Sequence, residues 1–306
     1  MLQVQYSPDI KDKYYEVIAQ TKMGNYNKRT FESYYNQYVK SKIGGYELKD
    51  LLCGDYENLL KIKDEIKTKY NSKNNIVKQL FNYDKVKSKT ITPKLSKLQP
   101  KISKFIQDKV GVDTCYFCNI EFINKFKNAN GEIKNGFTLD HYIDKSTYPF
   151  LALSLYNLIP SCYTCNSKVK GTDEINNLSP SSSKFDFKDK VKFTTFIVNS
   201  DLQIKSEKDF KLLLKENFSN DYTEYIDGFM LNKRYLYHKY KVIEMINKRK
   251  EYPDSRIKEL AKLTEKTEEE VKQDLFGEYL FEEDNLHKRP LSKLVRDISQ
   301  ELGLLK

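Results

Sequence analysis

The 306-residue chain has no apolar run of about 18 residues, so no membrane span is expected. Its first residues, MLQVQYSPDIKDKYY, lack the basic start and apolar stretch of a secretory signal, which makes a cytoplasmic location the default expectation. Histidine and cysteine are scarce, with three of one and five of the other. In a reducing compartment so few thiols do not make a disulfide framework. Four of them fall into two C-x-x-C pairs, Cys115/Cys118 and Cys162/Cys165, which reads as metal or redox chemistry. Cys53, in ELKDLLCGDY, is expected to be a buried small hydrophobe. Nothing else in the composition is scarce enough to exclude a globular protein. At 39% hydrophobic residues there is material for a sizeable core in one to three domains, and 31% charged residues give it a polar surface.

The formal net charge of +10 is unevenly placed. Residues 1–110 hold 22 Lys and Arg against 12 Asp and Glu, whereas the rest of the chain is balanced. Eight lysines and one aspartate fall within 85–109, in a stretch also carrying Ser, Thr and Pro. Such a stretch suits a nucleic-acid backbone, although lysine-rich composition alone also produces a merely solvated surface.

Coarse patterning divides the chain into a basic, mainly helical region (1–108), a compact unit (109–180) and a region of short strands followed by helices (181–306). Pro8-Asp9 can open a helix through KDKYYEVIAQ. Asp55 can open another through ENLLKIKDEIKTKY, with Leu59, Leu60, Ile62 and Ile66 as its apolar stripe. Residues 85–108 read as a basic linker leading into a short helix. In the middle unit, FTLDHYI alternates as a half-buried strand would. Further on, FDFKDKVKFTTFIV predicts one or two strands, and Ser206 is placed to cap a helix through EKDFKLLLKENF. MLNKRYLYHKYKVIEMINKRK predicts one long amphipathic helix. Asp254 can cap SRIKELAKL, and TEEEVKQDLFG and PLSKLVRDISQELG each end in a Gly suited to a C′ position. The many tyrosines at helical spacing are expected at core and rim.

Two C-x-x-C pairs supply four thiolates, the ligand set of a closed tetrahedral zinc site. The 43 residues between the pairs exceed the usual ribbon spacing. Closing the longer loop costs only about 0.8 kcal/mol more, against zinc binding on the order of 10 kcal/mol in small zinc-finger peptides. The insertion carries Asp140-His141 at a strand end and Asn157 before the second pair. Asn166, Lys168 and Lys170 follow that pair.

This order, a DH strand, a middle Asn and then C-x-x-C-N with lysines behind it, resembles the HNH endonucleases in their four-cysteine form. The resemblance covers roughly residues 112–171. DHYIDKSTYPFLALSLYNLIPSCYTCN is also similar to HNH proteins of bacterial phage-defence systems, the Septu and retron-associated nucleases. It implies an α+β fold with a central ββα-metal unit and a structural Zn²⁺ on Cys115, Cys118, Cys162 and Cys165. It further implies a metal-dependent endonuclease acting on DNA in preference to RNA, with an ATPase-like protein partner as a further expectation. His141 would be general base, Asp140 and Asn166 would hold Mg²⁺ or Mn²⁺, and Asn157 would orient the His141 ring by accepting from its second nitrogen. Lys168 and Lys170 would contact phosphate.

The residue types suit that chemistry: an imidazole near neutrality can take a proton from water, and hard oxygen donors hold a divalent cation against developing charge. Neighbouring strand residues point to opposite faces, so Asp140 and His141 can share a site only if the strand ends or twists there. Plainer readings stand beside these: Asn157 as a turn residue, Asn166 as a helix cap, Lys168 and Lys170 as surface charges. Asp144 and Lys145 could line a substrate groove but are expected on a loop surface, and His238 and His287 are expected to face solvent. The alternative functions are a non-catalytic zinc-stabilised nucleic-acid- or protein-binding module, or a tRNA-cleaving effector activated by a partner.

Overall fold

The structure is a computed structural model that describes residues 1, 3–23, 29–66, 76–81, 98–111, 113–131, 133–171, 175, 178–217, 219–277 and 286–305. Its N-terminal part is helical. Helix α1 (Pro8–Ala19) opens on Pro8, with the Ser7 side chain accepting from the Ile10 amide. It is followed by α2 (Phe31–Tyr38), α3 (Leu48–Cys53), α4 (Tyr56–Glu65), α5 (Ile76–Phe81) and α6 (Leu98–Lys109). Asp55 caps α4 as its sequence suggests, accepting from Asn58 N at 2.8 Å. Leu59, Ile62 and Ile66 are buried, so this stripe is core. Cys53 is buried too, and burial pushes its thiol up to about 12. Strands β1 (Lys22–Met23) and β2 (Arg29–Thr30) form a short ladder between α1 and α2. Most of the basic linker, residues 85–97, lies outside the described residues.

The middle of the chain holds two small antiparallel ladders. β3 (Lys125–Lys127) pairs with β4 (Ile133–Asn135), and β5 (Thr138–His141) pairs with β6 (Leu158–Ser161). A wide helical turn, Thr164–Lys170, follows β6 directly. The fold is α+β, as expected.

Beyond it the chain departs from the sequence reading in one clear place. Ser206 does cap a turn, with Asp209 completing a reciprocal capping pair, but the turn ends at Asp209. FKLLLKE is then a strand, β8 (Phe210–Glu216), paired along its whole length with β7 (Val191–Ile197) behind the short α7 (Phe187–Lys190). Phe210, Leu212 and Leu214 are buried in alternation. Spacing alone left FKLLL open to either period, and the seven-residue ladder to β7 settles it against local helix preference. The expected long helix is likewise divided. After α8 (Thr223–Gly228) come α9 (Leu231–Tyr235), a tighter turn at Leu236–His238, and α10 (Lys239–Glu251). His238 is half-buried there, edge-on to Tyr235 at 5.8 Å, and burial lowers its pKa. His287 is also half-buried, with its carbonyl accepting from Thr114 Oγ1 at 2.8 Å. Neither histidine simply faces solvent. Helices α11 (Asp254–Thr264) and α12 (Glu268–Phe276) form a hairpin with its own small cluster of Ile257, Ala261 and Val271. Pro253, not Asp254, holds the cap position of α11.

The last helix, α13 (Ser292–Glu301), is buried along most of its length, charged residues included. Lys293 Nζ lies 2.7 Å from Asp297 Oδ1 and donates to Val191 O at 2.6 Å, while Phe193 N donates to Asp297 Oδ2 at 2.9 Å. Burial holds the Lys293 ammonium down to about 8 even with Asp297 beside it. A buried pair like this is tolerated because each partner has additional hydrogen bonds. One contiguous cluster of buried side chains draws on the N-terminal helices, the cysteine unit and α13 together. Polar stitches reinforce it: Tyr14 Oη donates to Leu153 O at 2.7 Å and Val4 N to Pro180 O at 2.7 Å.

Candidate metal centre and adjoining cleft

The four paired cysteines come together from two short loops. The first is closed by the isolated bridge Thr114–Phe122, by Cys115 N donating to Glu121 O, and by Asn119 N donating to Cys115 O. The second follows β6 immediately, where Asn166 N donates to Cys162 O at 3.1 Å. A bond from Tyr116 N to Pro160 O joins the two loops. All four residues are buried and their Sγ atoms lie within 4.8 Å of one another, with Cys118 and Cys162 at 3.9 Å. Sulfurs of a tetrahedral site with Zn–S near 2.3 Å stand about 3.8 Å apart, so the set fits one zinc ion. Burial pushes the Cys115 thiol well up, so an isolated thiolate is disfavoured there, a cost that a bound cation would offset.

Part of the positive charge comes from the protein. Arg234 Nη1, on α9, donates to Cys165 Sγ at 3.1 Å. Burial works against this guanidinium, yet the adjoining thiols of Cys165 and Cys118 raise its pKa overall. Ile120 N and Cys165 N approach Cys118 Sγ and Cys162 Sγ at 3.4 Å each. Four thiolates on Zn²⁺ carry a net double negative charge, which these donors offset.

Asn119, directly after Cys118, fastens this centre to α13. It sits at φ 53°, a conformation Asn tolerates better than most residues, and is almost fully buried. Its Nδ2 donates to Thr114 Oγ1, Leu286 O and Arg289 O at 3.1–3.2 Å. Its Oδ1 accepts from Ser292 Oγ and Lys293 N, and its carbonyl accepts from Leu291 N at 2.6 Å. Asn119→Ala leaves several buried groups unpaired and puts a Cβ residue with no side-chain hydrogen bond at positive φ. The expected loss is about 3 kcal/mol in urea unfolding. A loss below about 1 kcal/mol would show that the fastening is incidental.

Beside the metal centre a cleft of about 520 Å³ is lined by His141 and Leu139 from β5, by Asn166, and by Lys145 from the following loop. The hairpin residues Lys134 and Asn135, and Gln99, Pro100 and Ser103 of α6, form its other walls. No Asp or Glu is among the described residues that line it. His141 Nε2 lies 2.9 Å from Ala152 O. A carbonyl only accepts, so the neutral ring carries its proton on Nε2 and its basic lone pair on Nδ1.

Several sequence expectations change here. Asn157 is fully buried, but its side chain does not receive the His141 ring. Its Oδ1 accepts from Ile143 N at 2.6 Å, and its Nδ2 donates to Ile143 O and Leu151 O at 3.1 and 2.9 Å. It pins both ends of the loop whose next carbonyl, that of Ala152, holds the imidazole. The ladder runs through Asp140 and His141 without a break, so alternation turns Asp140 to the other side of the strand. Asp140 is buried with Lys170 Nζ 3.2 Å from its Oδ2, and burial raises its pKa despite that ammonium. Lys170 is therefore not an exposed phosphate contact, because it is buried as the partner of Asp140. Lys168 is exposed, 5.9 Å from the Tyr163 ring centroid. Asn166 lies inside the helical turn that starts at Thr164, not at its cap. Asp144 accepts from Ser146 N, Thr147 N and Thr147 Oγ1, which lowers its pKa and shapes the loop that brings Lys145 to the cleft.

Sequence reasoning did not reach Arg234, Asn119 or the Ala152 carbonyl. An Asn immediately after a C-x-x-C turn was a readable hint for Asn119. No sequence signal points to Arg234, 69 residues from Cys165. No protein-family model, curated protein or solved structure matches the chain.

Proposed function

We propose that the chain is a metal-dependent phosphodiesterase of HNH type, cutting nucleic acid at the cleft beside its zinc centre. The observation that carries this reading is His141: its ring is held by the Ala152 carbonyl at a cleft shared with Asn166 and Lys145 and free of lining carboxylates among the described residues. In this reading Nδ1 of His141 takes the proton from water, and Lys145 and Lys134 attract the phosphates. The zinc centre keeps β5, β6 and the following helical turn together and takes no part in the chemistry.

The fit to a second, divalent ion rests on Asp140. Its Oδ2 is buried and accepts no hydrogen bond, although the Lys170 ammonium is close by. Asp140 lies on the other side of β5 from the cleft that holds Asn166, so the under-satisfied carboxylate would hold Mg²⁺ or Mn²⁺ with Asn166 only once the strand twists there and Lys170 yields. The ion would supply a charge against the phosphate. The same ion pair favours a second reading, in which Asp140 is structural and the chain is a non-catalytic zinc module for nucleic acid or a protein partner.

Titrating Mg²⁺ and Mn²⁺ into the zinc-loaded protein with plasmid, single-stranded DNA and tRNA separates the two. The expected result is cleavage that saturates with metal and is lost in Asp140→Asn by at least about 10²-fold. Nucleic-acid binding that ignores both metal and the substitution, without cleavage, supports the non-catalytic module.

A further inference from the structure

Resting on the nuclease reading above, the shape of the cleft bears on its substrate. One wall is α6, contributing Gln99, Pro100 and Ser103, and the opposite wall is the β3–β4 hairpin, contributing Lys134 and Asn135. The two walls are braced together by the ion pair of Lys125 with Asp108 of α6. The hairpin base is closed at Gly136, whose N donates to Asn124 O at 2.7 Å. A Cβ there would meet that oxygen at 2.6 Å, so only glycine allows the closure. His141 therefore sits in a cleft between α6 and the hairpin and not on an open convex face. A recessed cleft takes a flexible unpaired strand more readily than a stiff duplex.

The hairpin adds a second feature. Phe126 is 54% exposed and flanked by the exposed Lys125 and Lys127. It stands directly across the ladder from Lys134, a cleft residue, and cross-strand partners share a face. Its backbone thus lies one strand spacing, about 4.8 Å, from that of Lys134. Exposed rings among lysines are the elements with which proteins hold unpaired strands, the ring stacking on a base and the ammoniums following the phosphates. In a duplex the base faces are already covered by their neighbours, and exposing one costs a few kcal/mol.

We infer that the cleft is selective for an unpaired nucleic-acid strand, and that Phe126 is a specificity-determining residue that stacks on a base next to the phosphate presented to His141. Phe126 acts on binding and does not touch the reacting atoms.

The test is fluorescence anisotropy with the full zinc-loaded chain carrying His141→Ala, so that no probe is consumed. The probes are short labelled oligonucleotides: unstructured DNA, unstructured RNA, and a DNA hairpin whose fully paired strands are joined by a non-nucleotide linker. At one salt concentration at least one unpaired probe is expected to bind about tenfold or more tighter than the hairpin. Adding Phe126→Ala should weaken that probe by about tenfold while changing the hairpin less than twofold. Phe126→Trp should restore it and Phe126→Leu should not, which separates stacking from simple apolar contact. Equal affinity for paired and unpaired probes would overturn the proposal, as would a Phe126→Ala loss shared by both. Which unpaired probe binds tighter assigns DNA or RNA. The outcomes are separable from the nuclease reading. His141-dependent cutting of duplex with no Phe126 dependence sinks this inference and keeps the enzyme. Phe126-dependent strand binding without any cleavage keeps this inference and removes the enzyme.

Discussion

Replacing Cys162 by serine is expected to empty the zinc centre and to lower the melting temperature of the whole chain by at least about 10 °C. Four buried sulfurs within 4.8 Å of one another, two of them 3.9 Å apart, are held at zinc spacing by loops 43 residues apart. Without the ion the same arrangement asks four thiols to pack against one another, with Arg234 pointing at Cys165 and no thiolate to receive it. The damage should spread, because the centre is tied into the core on the side of α8 and α9. Tyr225 Oη donates to Phe117 O at 3.2 Å and Tyr235 Oη to Cys118 O at 2.6 Å. Structural zinc is worth on the order of 10 kcal/mol in small finger peptides. Two thirds of that moves a chain of 306 residues by roughly 10 °C at about 1.6 °C per kcal/mol. Metal analysis should give one zinc per native chain and none in the variant. An unchanged melting profile with zinc retained would remove the metal centre from this account.

His141→Ala is expected to reduce phosphodiester cleavage by at least about 10²-fold while zinc content and circular dichroism stay native. The ring is half-buried at the edge of the cleft, and its hydrogen bond to Ala152 O contributes only about 1 kcal/mol to stability. A large loss of activity with a small loss of stability is the signature of a proton-transferring group. A merely structural histidine would show the reverse. Full cleavage by the variant refutes the general-base assignment. A loss of activity matched by loss of zinc would trace the defect to folding instead.

These outcomes bear on residues that were readable to different degrees. The cysteine pairs, the DH strand and the post-cysteine Asn could be picked out because their chemistry depends on short spacing, and spacing is what a sequence records. The cap at Asp55 was of the same local kind, decided within one helical turn. FKLLLKE was not, because its neighbour in the fold is β7, and a two-stranded ladder leaves no trace in the segment itself beyond an ambiguous apolar pattern.

The amino-acid order alone thus determined an α+β protein with four cysteines placed to hold a metal ion, an amphipathic helical N-terminal part and no membrane-spanning helix among its described residues. Only the tertiary structure decided how charges and amides were spent. Lys170 was taken by Asp140, Asn157 by the loop ahead of Ala152, Arg234 by a distant sulfur, and α13 was drawn inside with its Lys293–Asp297 pair. A hydrogen bond or ion pair is worth most where water is excluded, and which side chains lose their water is settled by packing across the whole chain, not by neighbours in sequence.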